Sequence, residues 1–156
     1  MIVITGGSGF IGSNLLKFLN ENQNDEILIV QDYLKITFGN EDIQIRKSEN
    51  DDDLNSIFIK NSRIGNIFRD IDPDDKEITY TVSIPISLSG DNDLSHQQYL
   101  INLFGTDKIF LTGRGSIDDS QEVYLKRSED DEYIGIIYKN DDSSYTFTMS
   151  ILDFDL

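Results

Sequence analysis

The sequence predicts an α+β protein, with an N-terminal β-α-β unit followed by a mainly antiparallel β-sheet and one further helix. Three observations carry this. The short apolar run Met1–Thr5 ends in a glycine cluster, and Ile11, Leu15, Leu16 and Leu19 then follow at helical spacing. A second short apolar run, Ile27–Val30, comes after Asn20–Asn24, which are poor helix formers. Beyond Lys35 apolar and polar residues alternate, the pattern of strands with one wet face.

Taken in order, Met1–Thr5 reads as a buried strand, residues 10–20 as a helix and Ile27–Val30 as a second strand. Ile36-Thr37-Phe38 and Ile43-Gln44-Ile45 flank Gly39-Asn40, which suits a hairpin turn. Ile57–Ile59 and Ile64–Phe68 flank Asn61-Ser62-Arg63. Thr79–Ile86 is β-branched and aromatic, but Pro85 lacks a ladder donor and belongs at an edge or a strand end. Leu94–Phe104 has helical spacing and stops at Gly105. Four strand candidates follow as a meander: Lys108–Thr112, Glu122–Lys126, Tyr133–Tyr138 and Tyr145–Leu152. No repeat of 20–50 residues is visible.

Charge divides the chain near Lys35. Of a net −16, only −2 lies in residues 1–35, a Rossmann-like β-α-β segment. The remaining −14 lies in residues 36–156, an acidic β-rich region expected to pack with the first as one globular unit. With 38% hydrophobic residues the chain can bury a core. The absence of cysteine excludes disulfides, zinc-thiolate sites and thiol catalysis. No apolar run approaches the ~18 residues of a membrane span, and no basic signal-peptide start is visible. So acidic a chain is repelled by nucleic acid and anionic membrane and steered toward basic partners. A cytoplasmic location is expected.

Gly6, Gly9 and Gly12 stand between a strand and a helix. There Gly6 permits a tight turn, Gly9 lets the backbone approach a pyrophosphate, and Gly12 lets the helix lie close on the strand. The whole segment Ile2–Leu19 resembles the start of nucleotide-sugar epimerases and dehydratases of the extended short-chain dehydrogenase family. That resemblance implies a Rossmann fold and an NAD or NADP cofactor held by Gly6, Gly9 and Gly12. It also implies an acidic residue directly after the second strand, where this chain has Gln31, with Asp32 one place late. The family's catalytic Tyr-x-x-x-Lys is absent at every tyrosine, so the chain is not expected to be an enzyme. Three readings of the cluster stay open: a live dinucleotide site, a retained scaffold, or a short segment recruited in front of an unrelated domain.

Other candidate chemistry is sparse. His96, the sole histidine, sits beside Gln97 and Gln98 on a polar helix face, with no second histidine to share a metal. The Asp70–Asp75 run fails the calcium-loop pattern at its glycine and at its terminal glutamate and reads as a solvated turn. Gly113–Ser116 reads as a hairpin turn. No nucleophile-elbow, zincin or P-loop motif is present.

The acidic clusters, interleaved with aromatics, are the richer inventory. In size, acidity and lack of catalytic residues the chain resembles bacterial toxin-immunity proteins in type. This implies a non-enzymatic binder that neutralises a basic partner, such as a nuclease toxin. The residues expected to hold that partner are Glu129, Asp130, Asp131, Glu132, Tyr133, Tyr138, Asp141 and Asp142. The alternative is a small NAD(P)-binding protein or degenerate epimerase-like oxidoreductase.

Overall fold

A computed structural model describes residues 23–48, 54–87, 95–114 and 117–156. The expected helix over residues 10–20, the Met1–Thr5 strand and the glycines Gly6, Gly9 and Gly12 lie outside the described residues.

The protein is α+β. Helix α1 (Gln23–Phe38) leads into strands β1 (Ile43–Lys47), β2 (Leu54–Ile59), β3 (Ser62–Ile71) and β4 (Ile78–Ile86). Helix α2 (His96–Phe104) leads into β5 (Ile109–Arg114), β6 (Ile117–Leu125), β7 (Glu132–Lys139) and β8 (Tyr145–Leu152), and a 3₁₀ turn, Asp153–Asp155, follows. All eight strands form one antiparallel sheet in the order β1-β2-β3-β4-β8-β7-β6-β5. Val30, Leu34 and Phe38 of α1 and Leu100 and Phe104 of α2 join the buried strand residues in a single core, so both helices cover the same face.

Two expected strands are corrected. Ile27–Val30 and Ile36-Thr37-Phe38 belong to α1, and Gly39-Asn40 caps that helix instead of turning a hairpin. A four-residue apolar run does not by itself distinguish strand from helix. Here Val30, Leu34 and Phe38 recur every fourth residue and are all buried, so core packing overrides the β preference of the Ile/Val run. The helix also runs through the boundary expected at Lys35. Pro85 lies near the end of β4, as expected, but in a central strand. It is tolerated because β3 pairs with β4 only as far as Asn66↔Ser83, so no β3 partner asks for its N–H.

The order of strands reveals an internal duplication. The sheet consists of two α-β-β-β-β units whose last strands, β4 and β8, pair at the centre. The sequence repeats with the architecture. Gln31-x-Tyr33-Leu34-x-x-x-Phe38-Gly39-x-x-x-Ile43 matches Gln97-x-Tyr99-Leu100-x-x-x-Phe104-Gly105-x-x-x-Ile109. Ile64-Gly65-x-Ile67-Phe68-Arg69 matches Ile134-Gly135-x-Ile137-Tyr138-Lys139, and Thr79-Tyr80-Thr81-Val82-Ser83-Ile84 matches Thr146-Phe147-Thr148-Met149-Ser150-Ile151. The period of roughly 70 residues exceeds the range in which solenoid repeats fall.

A pseudo-twofold axis passes through the Val82↔Met149 pair, since Thr81↔Ser150 and Ser83↔Thr148 exchange under it. The equivalent Phe38 and Phe104 stack at 3.7 Å with rings 3° from parallel. Each is followed by a glycine at positive φ, 63° at Gly39 and 72° at Gly105, the left-handed cap that ends each helix. Asn40 Nδ2 donates to Phe104 O at 2.9 Å, tying the two helix ends together.

Candidate functional site

The sheet's connections fall at two ends. Thr79 pairs with Leu152, and Ile136↔Thr148 points the start of β7 toward the same end. The β3–β4 turn with Asp72, Asp74, Asp75 and Glu77, the β6–β7 connection with Glu129, Asp130 and Asp131, and the Asp153–Asp155 turn therefore gather at one end of the sheet. The Asp70–Asp75 run is the solvated turn the sequence predicts. Asp72 Oδ1 accepts from the N–H of Asp74 at 2.7 Å, and these acids are exposed.

At this end β7 and β8 separate. They pair only from Ile136↔Thr148 to Lys139↔Tyr145, which leaves Glu132–Gly135 and Met149–Leu152 without one another. Two features open the gap. Ile134 is the extra residue of a bulge, since Val123 pairs with Gly135 and Tyr124 with Tyr133. At Gly135 the backbone of β7 crosses against β8 so closely that a Cβ would lie 2.1 Å from Thr148 O. The Leu152 N–H is taken by Asp155 Oδ2 at 3.1 Å. The cleft has a volume of about 330 Å³ and is lined by Tyr33, Glu132–Ile136, Thr148–Ser150 and Asp155. Burial first, then the Asp155 and Glu132 carboxylates, push the Tyr33 hydroxyl pKa above its ordinary value, against the opposing pull of Arg127.

Beside the cleft, on the face away from the helices, three aromatics cross neighbouring strands. Phe110 stacks on Tyr124 at 5.5 Å, and Tyr124 meets Tyr133 edge-on at 5.6 Å. Tyr133 is 54% exposed. The first unit has Gln44, Phe58 and Arg63 at these positions, with Arg46 over the Phe58 ring at 4.0 Å. The aromatic row thus belongs to the second unit alone.

Of the partner-binding residues read from sequence, Glu129, Asp130, Asp131, Glu132 and Tyr133 come together here. Glu132 is held by Arg127 at 2.6 Å. Asp141 and Asp142 lie at the opposite end, in the β7–β8 turn, where Asp142 accepts from the N–H and hydroxyl of Ser144. Those two bonds lower its carboxyl pKa. Tyr138 is half-buried, near the end of β7 that leads into the same turn. Sequence reasoning missed Tyr33 and Phe110, and counted Tyr124 and Asp155 only among the aromatics and acids at large, outside the partner-binding set. The Tyr33/Tyr99 match between the repeats was the signal that could have found the first. His96 Nδ1 sits 2.9 Å from Gln121 Oε1 and its ring packs on Tyr145 at 4.2 Å, a structural setting. Arg114↔Ile117 closes the expected β5–β6 hairpin.

Fold and site define a duplicated α+β protein with one antiparallel sheet and an acidic, aromatic-lined cleft in its second unit. The chain belongs to the family described as Protein of unknown function (DUF3126), whose model matches residues 26–89 and 96–155, the two units in turn. A stretch of 75 residues is 39% identical to ADP-L-glycero-D-manno-heptose-6-epimerase of Brachyspira hyodysenteriae (strain ATCC 49526 / WA1). That match covers 44% of this chain and 23% of the epimerase, so the chain spans less than a quarter of this relative's length, and the resemblance is a distant one. No solved structure matches the chain. Among the described residues no helix is long and apolar enough to cross a membrane.

Proposed function

We propose that the protein is a non-enzymatic acidic binder that neutralises a basic protein partner, in the manner of a cytoplasmic immunity protein for a bacterial toxin such as a nuclease. One observation carries this reading: three acidic segments distant in sequence meet at one end of the sheet, beside an aromatic row whose outermost ring, Tyr133, is exposed. Acidic rims accelerate encounter with a basic surface, and aromatic anchors prolong the complex. The test is co-expression with the toxin encoded beside its gene. Growth should be rescued by the wild type and not by a variant with Glu129, Asp130 and Asp131 changed to the amides and Tyr133→Ala. Neighbouring gene products that neither bind nor are inhibited would overturn it.

The epimerase match favours a second reading, a small NAD(P)-binding protein or degenerate oxidoreductase using Gly6, Gly9 and Gly12. In that family a second parallel strand would stand where α1 runs, which weighs against it. Saturable NAD(H) or NADP(H) binding below ~1 mM, lost in Gly9→Asp, would establish it.

A further inference from the structure

The cleft between β7 and β8 has a more specific chemistry than general acidity. Its walls are the facing edges of two strands that have parted, so main-chain groups and carboxylates converge on one space of about 330 Å³. That volume lies at the small end of ligand sites, where one long side chain fits and a large organic molecule does not. Glu132 and Asp155 are its carboxylates, and Tyr33 and Tyr133 are its aromatic lining. The rim already holds one guanidinium: Arg127 Nη2 lies 2.6 Å from Glu132 Oε2 and donates to Thr37 O at 3.4 Å.

We propose that this cleft receives a single arginine side chain from the surface of the basic partner, the guanidinium lying among Glu132, Asp155 and the strand edges. The proposal rests on the binding function above and supplies its anchor point. Arginine fits better than lysine for a physical reason. A planar fork with five donors satisfies carboxylates and carbonyls in several directions at once and stacks on tyrosine, whereas an ammonium is a compact, strongly hydrated point charge. A duplicated fold supplies a comparison: Tyr99 of α2, the counterpart of Tyr33 of α1, donates its hydroxyl to Pro85 O of β4 at 3.3 Å, and Arg63 of the first unit stands where the second unit has Tyr133. Arg63 puts a cation at that position in the first unit, where the second unit has a neutral ring, and the two carboxylates of the second-unit cleft, Glu132 and Asp155, outnumber its one rim cation, Arg127.

The test is titration of the isotopically labelled protein with Nα-acetyl-arginine amide, followed by NMR. Saturable shifts are expected at Tyr33, Tyr133, Gly135 and Ser150, with half-saturation around 1 mM and at least fivefold weaker binding of the lysine analogue. Ser150→Phe, an exposed position on the cleft wall, should abolish them, and Asp155→Asn should weaken them severalfold. Asp155→Asn keeps the test decisive if Ser150→Phe perturbs folding. Shifts of equal size at the Asp72–Asp75 or Asp141–Asp142 turns, or shifts that both variants leave unchanged, overturn the proposal. A cognate toxin that binds the Ser150→Phe protein as tightly as wild type removes the cleft while leaving the acidic-binder reading intact. A toxin that binds neither protein, with arginine amide still saturating the cleft, does the reverse.

Discussion

Gln31 Oε1 accepts a hydrogen bond from the main-chain N–H of Ile45 at 2.8 Å. Its counterpart Gln97 accepts from Leu111 at 3.2 Å. Ile45 and Leu111 lie in β1 and β5, the two edge strands of the sheet. An edge strand presents unpaired N–H groups that invite pairing with another chain, and here a helix glutamine occupies one on each edge.

Gln31→Ala and Gln97→Ala should each cost about 1 kcal/mol, the net worth of one hydrogen bond. The two sites sit at opposite edges, so the double variant should show the sum of the singles within ~0.5 kcal/mol. Urea denaturation measures both. A strongly non-additive double variant would mean that the edges are coupled.

Gly135→Ala should destabilise by about 2–3 kcal/mol, because its Cβ meets the Thr148 carbonyl oxygen, which cannot move aside. Gly65→Ala should behave alike, its Cβ falling 2.3 Å from Ser83 O. Gly113 has open space where a Cβ would go, and its alanine variant should stay within ~0.5 kcal/mol of wild type. Equal melting temperatures for all three would contradict the close strand crossing.

Stability should decline at alkaline pH through Tyr80. Burial, then Glu26, whose carboxylate accepts the Tyr80 hydroxyl at 3.0 Å, push its pKa from 10.0 up to about 12. The folded state therefore keeps a proton that the unfolded state has lost. This contribution is intact below pH 10 and disappears as pH rises to about 12, a change of roughly 2–3 kcal/mol. Tyr80→Phe should flatten that decline, and Phe147, its counterpart, shows that the ring fits without the hydroxyl. A Tyr80→Phe protein with the same alkaline slope would rule out this tyrosine as the cause.

Binding kinetics should separate charge from contact. Changing Glu129, Asp130 and Asp131 to amides should slow association severalfold at low salt, the effect shrinking toward physiological ionic strength. Asp141→Asn with Asp142→Asn, at the far end, should leave the rate nearly unchanged. Tyr133→Ala should accelerate dissociation, costing ~2 kcal/mol or more if it anchors the complex. Equal slowing from both ends would mean that only net charge matters.

Much of the fold was legible locally. Gly105 ends α2 where the sequence places its stop, while the start at His96 behind the Ser95 cap was not singled out, and alternation located β1 to β8. The misreads were Ile27–Val30 and Ile36-Thr37-Phe38, short apolar runs that carry no period of their own. Only the recurrence of Val30, Leu34 and Phe38 in the core identifies a helix. The duplication was also present in the letters, from Gln31/Gln97 to Ser83/Ser150, but loops of different length shift its spacing and hide it from a fixed period.

For the site, the acids and Tyr133 were visible as chemistry while their grouping was not. The sequence by itself determined an acidic α+β chain lacking the tyrosine–lysine pair of the family its first residues resemble, because composition and motif are properties of the string. Tertiary structure decided that Glu129–Glu132 joins Asp72–Glu77 and Asp155 while Asp141 and Asp142 go elsewhere. It also decided that β7 and β8 part at Gly135. Both follow from strand order and register, which depend on contacts between residues far apart in the chain and are settled only when the two units close on a common core.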